Sequence, residues 1–166
     1  MKNSKIVFYE NQKFNQWWLW LILFGSFSFS FYTIIRSPGL DLDQPLNIIT
    51  NPAFIIVFCA FIAIVALFLL MRLKTTISDT SIMIHLRPFT KKEFKWSEIE
   101  RAKVLNYGFI GGWGIRLFTK YGTAYNIKGS IGLALELKNG KKYLIGTQKG
   151  DLLKTKIEGF IPKEAK

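Results

Sequence analysis

The chain is predicted to be a membrane α-helical hairpin joined to a mainly-β, α+β domain of about seven antiparallel strands with a C-terminal capping helix. Three observations predict this. Two uncharged apolar runs, Trp17–Ile35 and Ala53–Met71, are nineteen residues each. At about 1.5 Å per helical residue each run reaches roughly 28 Å, close to the hydrocarbon thickness of a bilayer. After Met71 the pattern changes to short alternating segments separated by turn residues, and it ends on helical spacing.

The domain organisation follows from those boundaries. Residues 1–16 are polar with scattered aromatics and read as a cytoplasmic N-terminal segment. Residues 17–71 form the hairpin, with helices over about 17–35 and 53–71 and an outside loop over 36–52. Residues 72–166 form the cytoplasmic domain. The second run has no charge, Gly, Pro or amide side chain, and it does not alternate as a barrel strand would. The first run opens on Trp17, Trp18 and Trp20 and carries Tyr32 near its end, aromatic anchors of the kind found at membrane interfaces. Ser26, Ser28 and Ser30 give it a polar stripe that can bond back to its own carbonyls or meet the second helix. Ser26-Phe27-Ser28 is a tolerable leader-cleavage site, but Glu10 and the apolar residues beyond it argue against a leader. Pro38-Gly39, Pro45 and Asn51-Pro52 turn the chain back. Lys2, Lys5 and Lys13 before the first run, and Arg72 and Lys74 after the second, place both termini in the cytoplasm by the positive-inside rule.

Only Arg72 to Lys74 separate the second run from strand-like sequence, and three extended residues span roughly 10 Å. The domain is therefore expected close to the headgroups. Strands are expected at Thr75–Ser78, Ser81–Arg87, Lys92–Trp96, Arg101–Asn106, Ile115–Thr119, Thr123–Ile127, Leu133–Leu137 and Lys142–Gly146. Ser97-Glu98-Ile99-Glu100 fits a capping box. Asn139-Gly140 signals a type I′ hairpin turn. Thr147 can cap a last helix whose Leu153 and Ile157 lie one turn apart, and Gly159 can end it.

The one cysteine, Cys59, lies in the second apolar run, so no disulfide framework and no cysteine-based metal site can form within one chain. His85 is the single histidine, and no ligand or catalytic partner stands near it in the sequence. Gly108, Gly111, Gly112 and Gly114 lack the Gly-Lys-Ser/Thr of a phosphate loop, and a strand rather than a helix follows them. Glu98 and Glu100 stand beside Arg101 and Lys103, where ion pairing accounts for them. No catalytic, cofactor or metal residue is assigned, and a non-enzymatic protein is expected.

Gly111-Gly112-Trp113-Gly114-Ile115-Arg116, Gly122-Thr123-Ala124-Tyr125-Asn126 and Ile145-Gly146-Thr147-Gln148 resemble bacterial proteins with a membrane-anchored, pleckstrin-homology-like (PH-like) domain. Phe94-Lys95-Trp96-Ser97-Glu98-Ile99 and Arg87-Pro88-Phe89 fit the same pattern. The resemblance runs roughly from Glu10 to Ile157. It implies a strongly bent, seven-stranded sheet closed at one end by the C-terminal helix, two N-terminal spans in the bacterial inner membrane, and a general binding platform. Phosphoinositide-binding members of the wider superfamily carry basic residues around the turn between their first two strands. Here that turn is Ser78-Asp79-Thr80-Ser81, so an inositol-phosphate site is not carried over.

The net charge of +12 is concentrated in residues 72–166, which hold 19 basic and 8 acidic side chains. Lys91, Lys92 and Lys95 cluster in one predicted hairpin, and Lys138, Lys141 and Lys142 in another. These are the candidate lipid- or partner-binding residues, each worth about 1 kcal/mol of attraction near an anionic leaflet. Tyr107, Trp113 and Tyr125 are a candidate aromatic surface. No stacking-aromatic and arginine constellation points to nucleic acid. The expected partners are the bilayer, anionic lipid headgroups, or another membrane or cytoplasmic protein. The expected function is a membrane-tethered binding or scaffold module, with a small accessory subunit of a membrane complex as the rival reading.

Overall fold

The structure, a computed structural model, describes residues 5–37 and 45–160. Lys2, the Pro38-Gly39 turn, and Asp41 and Asp43 of the expected outside loop lie outside the described residues. The chain divides into two compact units, Asn15–Leu70, and Met1–Phe14 together with Met71–Lys166.

The first unit holds three helices, α1 (Trp17–Ile35), α2 (Pro45–Ile49) and α3 (Pro52–Leu70). α1 and α3 are long and apolar enough to cross a membrane, and almost none of either is buried within the structure. They pack antiparallel through aromatic rings. Phe24 meets Phe61 at 5.4 Å between centroids, Phe27 stacks on Phe61 at 4.2 Å, and Phe31 meets Phe54 at 5.8 Å. Two of the serines bond back within α1, Ser26 Oγ donating to the Leu23 carbonyl and Ser30 Oγ to that of Ser26, both at 2.9 Å. Part of the expected loop is helical. α2 begins on Pro45, whose fixed φ suits a first helical position. Asn51 caps α3, its Oδ1 accepting the Ala53 N–H at 2.9 Å, with Pro52 in the first position.

The second unit is built from two sheets and a helix. Sheet A is an antiparallel meander of β1 (Ile6–Lys13), β2 (Arg72–Ser78), β3 (Ser81–Arg87) and β4 (Thr90–Lys95), in that order. Sheet B runs β5 (Ile99–Asn106), β8 (Ile131–Leu137), β9 (Lys142–Thr147), β7 (Gly122–Asn126) and β6 (Gly114–Thr119). The last helix is α4 (Gly150–Ile157). The eight strands expected after Met71 are all present, as β2 to β9.

The architecture departs from the expectation in three ways. There are nine strands in two sheets among the described residues, not about seven in one bent sheet. One pairing, β7 with β9, is parallel. And the polar N-terminal segment contains β1, which pairs with β2 from Ile6↔Ser78 to Lys13↔Arg72. The whole excursion through α1 to α3 is therefore inserted between two neighbouring strands of sheet A.

Alternation explains the packing. Leu73, Ile77, Ile82, Ile84, Leu86 and Phe94 face inward from sheet A, and Leu133, Leu135 and Ile145 from sheet B, while Leu144 takes the opposite face of β9 and packs with Tyr107 and Ala124. Each fully buried Leu or Ile contributes about 1.5–3 kcal/mol relative to exposure. Leu153 and Ile157 of α4 join the same core. The β8–β9 turn is one residue longer than the expected two-residue turn, since Leu137 bonds Lys141 across the three residues 138–140. The Gly140 N–H bonds the Leu137 carbonyl at 2.8 Å, and only Gly140 has positive φ, +78°. That is a type I turn followed by a left-handed glycine, because type I′ requires positive φ at Asn139 as well. The expected capping box is a single 3-10 turn, Trp96–Glu98, without a side-chain cap.

The buried face of β1 is unusual. Phe8 is apolar, but Glu10 and Gln12 are 4% and 3% exposed. Glu10 Oε2 accepts the Thr147 hydroxyl at 2.6 Å, and its Oε1 accepts the Gln148 N–H at 2.9 Å. Gln12 Nε2 donates to the Gly146 carbonyl at 2.8 Å. Thr147, expected to cap α4, instead links β1 to β9 and accepts the Lys149 N–H.

Candidate functional site: the basic face of sheet A

The outward positions of sheet A are set by the same alternation. Lys13, Arg72 and Arg87 lie directly opposite one another on β1, β2 and β3. Two residues along, Asn11, Lys74, His85 and Lys91 form the next row. The third row, Tyr9, Thr76, Met83 and Glu93, carries no cation. Adjacent strands lie about 4.8 Å apart, so the first row spans roughly 10 Å, and the second stands about 7 Å from it.

Five permanent cations thus share two rows: Lys13, Arg72, Lys74, Arg87 and Lys91. Among the described residues none of them forms an ion pair, and the one salt bridge found joins Lys142 to Glu136 at 3.0 Å. Like charges directly opposite across strands destabilise a sheet. In water a unit pair at 4 Å costs about 1 kcal/mol. Glu93, the carboxylate of the third row, accepts the Ser81 hydroxyl at 2.7 Å. His85 lies amid this charge. Partial desolvation, then the charges of Arg87, Lys91 and Lys74, hold its pKa below the ordinary imidazole value. An imidazole ringed by cations is poorly placed to bind a metal ion.

The first row also marks where the chain leaves the sheet. Phe14 to Gln16 join Lys13 to α1, and Met71 joins α3 to Arg72. Beyond Arg87, the β3–β4 turn presents Phe89, which is 54% exposed. Met71 is buried, and its Cε would lie 3.2 Å from a Cβ placed on Gly114. The loop before Gly114 carries Phe109, 83% exposed.

The predicted binding residues do not form one surface. Lys91 and Lys95 face outward on β4, with Lys91 in the cationic rows. Lys92 points the other way, its Nζ 4.9 Å from the centroid of Tyr143 and 5.9 Å from that of Tyr125. Burial acts to lower the Lys92 pKa, but interaction with Tyr125 and Tyr143 outweighs it and the net shift is upward. Lys138 and Lys141 are exposed on the β8–β9 turn of sheet B, and Lys142 is the one paired with Glu136. The expected aromatic surface is likewise corrected. Tyr107 and Tyr125 are buried core side chains, and the Tyr107 hydroxyl donates to the Gly129 carbonyl at 2.9 Å. A domain of this size needs large side chains to fill its core. Of the three, Trp113 alone reaches the surface. On α1, Trp17 is exposed, Trp18 and Trp20 are half-buried, and the Arg36 guanidinium stands 5.6 Å from the ring of Tyr32.

Lys13, Arg72, Lys74 and Arg87 were not grouped by sequence reasoning, because the registers of β2 with β3 and of β1 with β2 are what bring them into rows. The alternation Arg72-x-Lys74-x-Thr76 is the signal that points to half of it. No protein-family model, curated protein or solved structure matches this chain.

Proposed function

We propose that the protein is a non-enzymatic, membrane-tethered binding module of the bacterial cytoplasmic membrane, whose basic sheet face engages anionic lipid headgroups. α1 and α3 act as the two spans, and the β domain, read as a variant of the PH-like platform, lies in the cytoplasm with both termini. The observation that carries the reading is the coincidence of the cationic rows with the strand ends that lead into α1 and α3. Pairing of Lys13 with Arg72 agrees with both spans returning to one side. The connections, Phe14–Gln16 and Met71, are too short to let those strand ends stray more than about 10 Å from the helices. That lies near the roughly 8 Å Debye length at physiological salt, within which each cation adds about 1 kcal/mol.

The test is lysine footprinting of the full chain in lipid nanodiscs. Replacing part of the phosphatidylcholine by phosphatidylserine is expected to slow acetylation of Lys13, Lys74 and Lys91, with the effect fading at high salt. Lys138 and Lys141 should react at the same rate in both membranes. Equal reactivity of all five lysines in both lipids refutes headgroup engagement by this face.

The accessory-subunit reading rests on a groove of the hairpin unit in which the small side chains of Ser26, Ser30 and Ala60 lie among Leu23, Phe27, Phe61 and Ile64, a surface on which another helix could pack.

A further inference from the structure

We infer that the outer face of sheet A is a site for a phosphate monoester, held at Arg72 and Arg87 and flanked by Lys13, Lys74 and Lys91, and that its source is a lipid headgroup. The inference rests on the reading of the chain as a membrane-tethered binding module and narrows the ligand of its basic face.

Crowding is the first ground. Arg72 and Arg87 are cross-strand partners, Lys13 continues their row, and Lys74 and Lys91 flank His85 in the next. Diffuse attraction to a membrane needs positive charge somewhere on a surface. It does not need guanidinium groups facing each other with no carboxylate between them. A bound anion turns that repulsion into attraction.

Geometry selects the anion. Two guanidinium forks on neighbouring strands present several N–H donors to one oxyanion, in the planar pattern that matches phosphate. A phosphate monoester carries about −1.5 to −2 charges at pH 7 and three acceptor oxygens, and can meet two forks and an ammonium together. A phosphodiester carries one charge and fewer free oxygens. The two rows are about 7 Å apart, so side chains from both can close on one group.

The position points to the source. The exposed Phe89 follows Arg87 by two residues, so an apolar ring stands beside the cations, as an interface between headgroup and acyl chain would require. Lys13 and Arg72 are the strand ends nearest in sequence to the apolar helices.

His85 supplies the readout. It is the only histidine, so its ring gives one set of resonances in the intact chain, made with a tag that has no histidine. The full chain is placed in nanodiscs of phosphatidylcholine, of phosphatidylcholine with phosphatidylserine, and of phosphatidylcholine with phosphatidic acid. The imidazole is titrated by NMR in each. Phosphatidic acid is expected to raise the midpoint by about one unit over phosphatidylcholine, a tenfold gain in proton affinity, because the anion neutralises the cations that depress it. Phosphatidylserine at equal surface charge should raise it less than half as far. Arg72→Gln/Arg87→Gln should abolish the difference between the two anionic lipids, and Lys138→Gln/Lys141→Gln should leave it intact. Equal midpoints in both anionic lipids overturn the monoester site while leaving headgroup engagement standing. No movement in either lipid removes both. A fourth sample, phosphatidylcholine with inorganic phosphate, separates the sources. A rise there as large as that from phosphatidic acid overturns the lipid assignment.

Discussion

Glu10→Ala should loosen β1 from the rest of the domain. The carboxylate accepts two hydrogen bonds in a nearly water-free position, from the Thr147 hydroxyl and the Gln148 N–H. Hydrogen bonds to a charged group contribute about 1.5–3 kcal/mol each, and a buried donor left without a partner costs about 1–3 kcal/mol. Against this, the substitution relieves the burial of a charge and leaves a small void that water can enter. The balance is a loss of about 2–4 kcal/mol. The assay is amide hydrogen exchange of the full chain in nanodiscs. At about 1.4 kcal/mol per tenfold, β1 amides should exchange roughly thirty to seven hundred times faster. Amides shared by β3 and β4 should change much less. Glu10→Gln should lie between, since its amide oxygen can still accept from Thr147 while its NH2 meets the Gln148 N–H donor to donor. Unchanged protection across β1 in Glu10→Ala refutes the claim that this carboxylate fastens the strand.

Two other outcomes follow from the geometry. A Cβ on Gly122 would lie 2.1 Å from the Lys142 carbonyl oxygen, at φ +76°, so Gly122→Ala should break the β7–β9 junction and raise exchange in both strands. Gly140→Ala, at φ +78° with open space around it, should cost only the left-handed backbone penalty of about 1 kcal/mol. His85 in a neutral membrane should titrate below the ordinary value of 6.5, and Lys74→Gln should bring it closer. Because the unfolded chain takes up that proton first, stability should fall as pH drops from about 6.5 towards the folded midpoint. His85→Gln should flatten that slope in a pH series of denaturation measurements.

The strands of residues 72–157 were legible because their buried positions are apolar and alternate, as in Ile82, Ile84 and Leu86 or Leu133, Leu135 and Leu137. The two apolar helices were legible from length and absence of charge. β1 was not, because Glu10 and Gln12 occupy inward positions where the pattern calls for apolar residues, and only their long-range hydrogen bonds explain them. The Asn139-Gly140 turn was placed but mistyped, since the sequence does not say which residues take positive φ. The cationic face stayed hidden for a related reason. Its residues come from Lys13, from Arg72 and Lys74, and from Arg87 and Lys91, and a local cluster search finds instead the lysines of one hairpin, which alternation sends to opposite faces. Lys92 on its tyrosines and Lys142 on Glu136 show how far proximity in sequence misleads about a β surface.

The placement of α1 to α3 between β1 and β2 also orders the protein's biosynthesis. β1 is translated first and has no partner until residues 14–71 have emerged and β2 follows them. Closing that long excursion carries an entropic cost that grows only slowly with length, and it becomes small once the two helices have packed and brought their ends together. Sheet A is therefore completed after the hairpin, and a chain whose hairpin fails to settle keeps an open β2 edge. Unpaired edges invite pairing with other chains. A fragment beginning at Arg72 carries the same open edge, and in it the Thr147 hydroxyl and Gln148 amide lose their carboxylate. The β domain of this protein is consequently best handled with its N-terminal strand attached, either in the full chain or with the hairpin replaced by a short connector.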